Sequence, residues 1–198
     1  MGTRFVDPLL VVRISGGRAR GITLVVPKGD AVRPATDGMR QSVFSSLGER
    51  VSDARFVDLF AGSGAYGLEA LSRGAAGGVF VEKNPKAIGC LRQNLAAVCK
   101  SLQREAADTL ILQTDAVSAL PTITASPDLV FIDPPYEMIP RISTMLFEGL
   151  SLMLRNSADP VIVFEMPGEI ELSPAGWVCA KRLGKGARQP TVAFFKRA

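Results

Sequence analysis

Phe56-Val57-Asp58-Leu59-Phe60-Ala61-Gly62-Ser63-Gly64-Ala65-Tyr66-Gly67, followed by Leu68-Glu69-Ala70-Leu71-Ser72-Arg73, is the stretch that decides how this chain folds. An apolar run enters a glycine-rich turn, and the turn opens a segment of helix-forming residues, so the stretch reads as strand, loop and helix. Gly62 and Gly64 permit positive backbone angles and let a ligand touch the main chain, while Gly67 lets the first helical turn lie close on the sheet. Such a turn suits a nucleoside-bearing cofactor. Glu82 stands twenty positions after Gly62, at the end of Gly78-Val79-Phe80-Val81. There a carboxylate can accept hydrogen bonds from ribose hydroxyls. Three glycines alone are weak evidence; the strand before them, the helix after them and the acid at that offset give them weight.

Two cofactor classes fit this turn. NAD would lean its pyrophosphate on the positive end of the helix. S-adenosylmethionine carries no phosphate but a sulfonium and an ammonium group, and Asp58, just before the glycines, suits the cationic cofactor better. Phe60 and Ser63, within the turn, join Asp58, Gly62, Gly64 and Glu82 as candidate cofactor contacts.

A second signal is Asp133-Pro134-Pro135-Tyr136, set at the end of the apolar run Asp128-Leu129-Val130-Phe131-Ile132. Proline restricts itself and its predecessor to extended geometry, so Asp133 and the Pro134 carbonyl cannot be drawn into a helix. Both are acceptors. An exocyclic NH2 of a nucleobase offers two donors to match, and the Tyr136 ring gives the base a face to stack on. The alternative is a turn that only ends a strand.

The rest of the chain alternates in the same way. Asn84 and Pro85 cap a helix that continues through Ile88, Leu91, Leu95 and Val98. Leu110 to Gln113 reads as a third strand, with Asp115 at its carboxyl end placed either to accept from an adenine amine or to cap a helix; Ala116 beside it could line the ring. Leu129 to Ile132 is the fourth strand, a helix follows from about Ile139 to Leu154, and Val161 to Phe164 is the fifth. Trp177 to Lys181 and Val192 to Phe195 close the sheet. The expected fold class is α/β, a mainly parallel seven-stranded sheet with helices on both faces. In such sheets ligands bind at the carboxyl ends of strands near the topological switch point, and Asp58, Glu82, Asp115 and Asp133 all fall at or near such ends. Before this domain, Leu10 to Ile14 and Gly21 to Val26 flank Ser15-Gly16-Gly17-Arg18-Ala19-Arg20, a small hairpin with a basic turn. The expected organisation is a basic N-terminal hairpin extension over 1–34 and one main domain over 35–198. A helix from about 37 to 48 carries Met39, Val43, Phe44 and Leu47 at helical spacing.

Composition sets further bounds. The 198 residues, 47% of them hydrophobic, suit one domain with a sizeable core. The apolar segment from Phe5 to Ile14 is too short and too interrupted for a signal-peptide core or a membrane span, so the cytoplasm is the expected location. Cys90, Cys99 and Cys179 have no metal-binding spacing and read as buried reduced thiols; no metal site is expected. The chain has no histidine, which removes imidazole-based nucleophilic mechanisms, and it lacks both a nucleophile elbow and a Walker loop. Methyl transfer from a sulfonium to an amine tolerates all three absences.

Charge is segregated. Residues 1–50 carry +4, residues 51–180 carry −6 and residues 181–198 carry +6. Arg13, Arg18, Arg20, Lys28, Arg33 and Arg40 at the front, with Lys181, Arg182, Lys185 and Arg188 at the back, would form one phosphate-binding surface if the ends meet. Arg33, Thr36, Asp37 and Arg40 could instead help cover the cofactor or the target base.

These residues resemble the bacterial 16S rRNA guanine-N2 methyltransferases. The matching segments are Arg13-Ile14-Ser15-Gly16-Gly17, Arg33-Pro34-Ala35-Thr36-Asp37, Asp58 to Arg73 with Gly74-Ala75, Glu82, and Asp133 to Tyr136. The resemblance implies a Rossmann-like class I methyltransferase fold, S-adenosylmethionine as donor, and 16S rRNA in the small ribosomal subunit or an assembly intermediate as substrate. It implies that Gly62 and Gly64 face the methionine part of the cofactor, Glu82 its ribose and Asp115 its adenine. Asp133 and the Pro134 carbonyl would hold the guanine amine, and Tyr136 would stack on the flipped base; Arg13, Arg18, Arg33, Thr36, Asp37, Arg40 and Pro135 would contact the RNA. A monomer is expected. The chain departs from the family pattern at Gly38, usually arginine, at Gln41, usually glutamate, and at Tyr66, usually a smaller aliphatic residue. A DNA adenine-N6 or other amine methyltransferase would share Asp133 to Tyr136, and a non-catalytic RNA-binding assembly factor would share the fold.

Overall fold

The computed structural model describes residues 11–27, 37–106, 108–124, 126–184, 186 and 189–198. Arg33 and Thr36, with Lys28, Lys185 and Arg188, lie outside the described residues.

Two short strands, β1 (Val12–Arg13) and β2 (Thr23–Leu24), pair antiparallel with Val12 opposite Leu24. Strands this short cannot hold a hairpin by their own pairing. What fixes it is α2 (Ala65–Ser72): Ser15 donates from its amide and its hydroxyl to the two carboxylate oxygens of Glu69, at 2.7 and 2.8 Å. Ser72 Oγ donates to the Gly16 carbonyl at 2.6 Å and accepts from the Ala19 amide at 2.9 Å. Gly17, at φ 77°, brings its backbone so close that a Cβ there would lie 2.1 Å from the Ser72 carbonyl oxygen. Val12, Ile14, Ala19 and Leu24 are buried in the same apolar cluster as Phe44 and Leu71.

Helix α1 (Asp37–Leu47) buries Val43, Phe44 and Leu47, the periodic positions read from the sequence. The main sheet then alternates with helices: β3 (Arg55–Leu59), α2, β4 (Gly77–Glu82), α3 (Pro85–Leu102), β5 (Thr109–Gln113), α4 (Ala116–Ala119), β6 (Leu129–Ile132), α5 (Ile139–Met153), β7 (Val161–Pro167), β8 (Trp177–Leu183) and β9 (Pro190–Arg197). The spatial order is β5-β4-β3-β6-β7-β9-β8. The first five are parallel, and β9 joins antiparallel between β7 and β8. The expected seven-stranded, mainly parallel sheet is what the chain forms.

Both faces of the central strands are covered, which is why they read as unbroken apolar runs rather than alternating ones. Phe56, Phe80 and Phe131 pack with Phe44 on one side, and Val57, Leu59, Val130 and Ile132 pack with Phe147, Phe164 and Phe195 on the other. Gly67 sits where the first turn of α2 crosses an edge-to-face pair, Phe56 on Phe80; a Cβ there would come within 2.3 Å of Phe80 and 2.6 Å of Phe56. Asn84 caps α3 by accepting from the Lys86 amide, with Pro85 in the first turn. All three cysteines are free thiols, but only Cys99 is buried: Cys90 is half-buried and Cys179 exposed on β8, the edge strand of the sheet. Among the described residues no helix is long and apolar enough to cross a membrane.

Position follows from topology. From β3 the chain moves by way of α2 to β4 on one side, and it later returns to β6 on the other. The carboxyl ends of β3 and β6 therefore border the crevice where such sheets take ligands.

Candidate active site

The glycine turn leaves β3 through a left-handed backbone. Phe60 has φ 61°, Gly62 φ 54° and Gly64 φ 87°. Phe60 is not glycine, so the turn stores strain of about 1–3 kcal/mol there, a cost found clustered at ligand sites. The two glycines differ in purpose. A Cβ on Gly64 would strike Leu91 Cδ1 at 2.4 Å, so its small size lets α3 approach, whereas a Cβ on Gly62 would meet nothing nearer than the Phe60 carbonyl oxygen at 4.0 Å. Gly62 is therefore the glycine whose missing side chain leaves open space at the rim. Ser63 offers its carbonyl to the Asn94 side chain at 2.9 Å.

Carboxylates hold this turn. Asp58, 2% exposed, accepts from the Gly67 amide at 2.9 Å and so fixes the start of α2. Burial pushes its pKa from 3.8 up to about 7; the Gly67 N–H opposes that rise and the Glu82 charge adds to it. Glu82 accepts from the Gly62 amide at 2.9 Å and from the Asn84 amide at 2.7 Å, one on each oxygen. Each oxygen keeps a second lone-pair direction for a hydroxyl donor. Asp115 caps α4 through a single oxygen, Oδ1, which accepts from Val117 and Ser118, and Ala116 is buried behind it. Of its two sequence readings the cap is formed, and Oδ2 carries none of those bonds.

Leu59 is in register with Ile132, so Asp133 emerges beside the first residue of the glycine turn. Asp133 is half-buried, Pro134 buried and Pro135 exposed, with an extended backbone at φ −52°, ψ 127°, before the 3-10 turn Tyr136–Met138. No hydrogen bond among the described residues engages the Asp133 carboxylate. Burial holds its pKa well above the usual carboxylate range, the charges of Glu165 and Asp58 reinforce the rise, and Arg40 opposes it.

Sequence reading missed Glu165. It is 1% exposed in the last half of β7, and accepts from Tyr66 Oη at 2.8 Å and from Tyr136 Oη at 3.4 Å. An acid following the apolar run Val161 to Phe164, as Glu82 follows Gly78 to Val81, was the available signal. Burial raises the Glu165 pKa, against the two tyrosine hydrogen bonds and Arg40. Five adjacent parallel strands thus carry carboxylates at or near their carboxyl ends: Asp58, Glu82, Asp115, Asp133 and Glu165.

The basic residues divide. Arg13, Arg18 and Arg20 are exposed, and Asp37 accepts from the Arg13 amide at 3.3 Å. Arg40 departs from the expected phosphate-facing surface: it is 0% exposed, and its Nη2 donates to the Arg13 carbonyl at 2.7 Å and to Asp37 Oδ1 at 2.6 Å. It fastens the hairpin to α1. Arg182 departs likewise, donating to the carbonyls of Pro167, Gly168 and Ile170 and to Thr191 Oγ1. Lys181 donates to Ser46 on α1 at 2.8 Å, so the two basic ends of the chain do meet there.

Comparison with known proteins agrees with this geometry. A family model described as conserved hypothetical protein 95 matches residues 12–193. The Escherichia coli K12 protein named ribosomal RNA small subunit methyltransferase D is 34% identical over 171 residues, 84% of this chain and 81% of that protein. The Haemophilus influenzae protein of the same name is 29% identical over 88% of this chain and 89% of its own length. Among solved structures, the Escherichia coli protein yhhF superimposes with a TM-score of 0.79 at 31% identity, over 94% of this chain and 98% of that one. A more distant structure complexed with SAH, 11% identical, shares the fold at a TM-score of 0.55 over 77% of this chain and 48% of its own. From its hairpin to its last strand, this chain belongs to the conserved hypothetical protein 95 family, that of the small-subunit ribosomal RNA methyltransferases D.

Proposed function

We propose that this protein methylates the exocyclic N2 amine of a guanine in 16S rRNA, within the small ribosomal subunit or an assembly intermediate, with S-adenosylmethionine as donor. The observation that carries the reading is the placement of Asp133 and the Pro134 carbonyl beside the glycine turn, at the mouth of the β3/β6 crevice. A rim of carboxylates suits a cationic cofactor and disfavours a pyrophosphate. Gly62 provides the open approach, Glu82 the acceptors for ribose hydroxyls, and Asp115 with Ala116 the adenine side; Asp58 holds the turn, with Phe60, Ser63 and Gly64 completing it. Bound there, S-adenosylmethionine would supply an electrophilic methyl group, its sulfur retaining the S–C bonding pair as a neutral thioether.

Asp133 and the Pro134 carbonyl accept from the two amine hydrogens, which draws the nitrogen lone pair out of conjugation with the ring and orients it for attack. These bonds strengthen as positive charge develops on nitrogen, so they act on the transition state. The proton that nitrogen sheds passes to Asp133, whose raised pKa makes it a stronger base than an ordinary carboxylate. Tyr136 stacks on the flipped base. Arg13, Arg18 and Arg33 of the extension over 1–34, with Thr36, Asp37 and Pro135 of the domain over 35–198, grip the RNA. We place the protein in the cytoplasm, as a monomer.

The test is transfer of labelled methyl to small subunits lacking this modification, with mass spectrometry of the digested nucleosides. N2-methylguanosine is the expected product, and N6-methyladenosine would overturn the substrate assignment. Asp133→Ala is expected to lower kcat by about 100-fold or more while S-adenosylmethionine still binds. An active Asp133→Ala protein removes Asp133 from the chemistry.

A further inference from the structure

Tyr66 and Tyr136 lie far apart in sequence, yet their hydroxyls converge on the two oxygens of one buried carboxylate. Tyr66 Oη reaches Glu165 Oε2 at 2.8 Å, and Tyr136 Oη reaches Oε1 at 3.4 Å. The first bond is of full strength and the second lies at the outer edge of hydrogen-bond range. Tyr66 cannot shift: its ring stacks on Phe131 at 5.4 Å with planes 16° apart, and it is 5% exposed. Tyr136, half-buried in the short turn after Asp133, makes the longer of the two bonds. Nothing in ring stacking needs either hydroxyl, and Phe at both positions would keep the same aromatic surface. A carboxylate buried to 1% is costly unless such donors are placed for it, so the arrangement has to serve something beyond packing.

We propose that Tyr66 and Glu165 form a positioning relay for methyl transfer, in which Tyr66 fixes the Glu165 carboxylate and Glu165 in turn sets the Tyr136 ring against the target base and tunes the Asp133 pocket. The inference rests on the proposed amine methylation. Tyr66 and Glu165, 5% and 1% exposed, act through Tyr136 and Asp133; they are positioning residues. The short bond anchors the carboxylate, and the long one leaves the Tyr136 ring room to settle on a base plane before its hydroxyl draws in.

Charge gives a readout that a purely structural role lacks. The groups facing Glu165 are Tyr66 on α2, Tyr136 in the turn, Arg40 on α1 and Asp133 after β6; those facing Asp133 are Glu165 on β7, Asp58 on β3, Tyr66 and Arg40. Glu165 raises the Asp133 pKa by its negative charge. Neutralising Glu165 therefore lowers that pKa and moves the acidic limb of the kcat profile, where Asp133 loses its proton, to lower pH.

The experiment measures kcat and KM against pH on small subunits lacking the methyl group, with labelled S-adenosylmethionine, for wild type, Tyr66→Phe, Tyr136→Phe, their double variant and Glu165→Gln. Each tyrosine variant is expected to lower kcat about tenfold with KM for the subunit nearly unchanged, and the double variant to fall well short of the product of the two. Glu165→Gln is expected to shift the acidic limb downward. Wild-type kcat in Tyr66→Phe, multiplicative losses in the double variant, or an unmoved limb in Glu165→Gln would each overturn the relay. If Glu165→Gln does not fold, the tyrosine pair decides alone, since both variants keep their rings. An inactive wild-type protein overturns the proposed reaction and this inference with it, whereas an active wild type with indifferent variants overturns the relay alone.

Discussion

Asp58→Asn separates the structural work of a carboxylate from its charge. Asp58 lies 2% exposed under the glycine turn, and its pKa stands at about 7 against an ordinary 3.8. The native state therefore binds the Asp58 proton more tightly than the unfolded chain does. For an acid shifted in this direction, the contribution is fully present below pH 4 and is lost as pH rises through 7. The full shift corresponds to about 4 kcal/mol, and about 2.6 kcal/mol of it falls between pH 5 and pH 8. Asparagine keeps an oxygen that can accept from the Gly67 amide but has no proton to lose. Urea unfolding at pH 5, 6, 7 and 8 is expected to show the stability of wild type relative to Asp58→Asn falling by roughly 2–3 kcal/mol across that range. Asp133 and Glu165 titrate in both proteins and largely cancel. The Asp58 charge also raises Asp133, so its removal adds to the difference with the same sign. A difference that stays flat or grows with pH would refute the assignment of a buried, weakly compensated carboxylate at this position.

Two further changes probe the same turn. Gly67→Ala is expected to cost about 1–3 kcal/mol, because its Cβ would come within 2.3 Å of Phe80 and 2.6 Å of Phe56; a melting temperature lowered by several degrees in calorimetry checks it, and an unchanged one shows that the pair of rings can part. Glu82→Ala leaves the amides of Gly62 and Asn84 without their acceptor, and the Kd for S-adenosylmethionine is expected to rise at least about tenfold in isothermal titration. An unaltered Kd would move the ribose elsewhere.

Much of the fold was legible because the parallel strands are covered on both faces. Gly78 to Val81, Leu129 to Ile132 and Val161 to Phe164 have no polar face to confuse with loop, Phe56 to Leu59 has Asp58 alone, and Asn84-Pro85 announces the start of a helix by local chemistry alone. The carboxylate rim was legible in part for a related reason: an acid that ends an apolar run stands at a strand end. Arg40 and Arg182 were not legible. Their side chains look like those of any surface arginine, and only docking of the hairpin on α1, and of the residue 167–170 segment on β8, supplies the carbonyls that bury them. The Tyr66–Glu165–Tyr136 contact was invisible for the same reason: it joins three elements whose separation in sequence carries no local pattern.

One side chain in α3 has a mechanical consequence. Asn94, 2% exposed, accepts from the Val25 amide and donates to the carbonyls of Val25 and Ser63, each within 2.9 Å. Both of its amide hydrogens are spent, one on the segment leaving the hairpin and one on the glycine turn. A single side-chain amide thus ties the segment after β2 to the turn, so that the extension and the turn, 38 residues apart between Val25 and Ser63, share one anchor on α3.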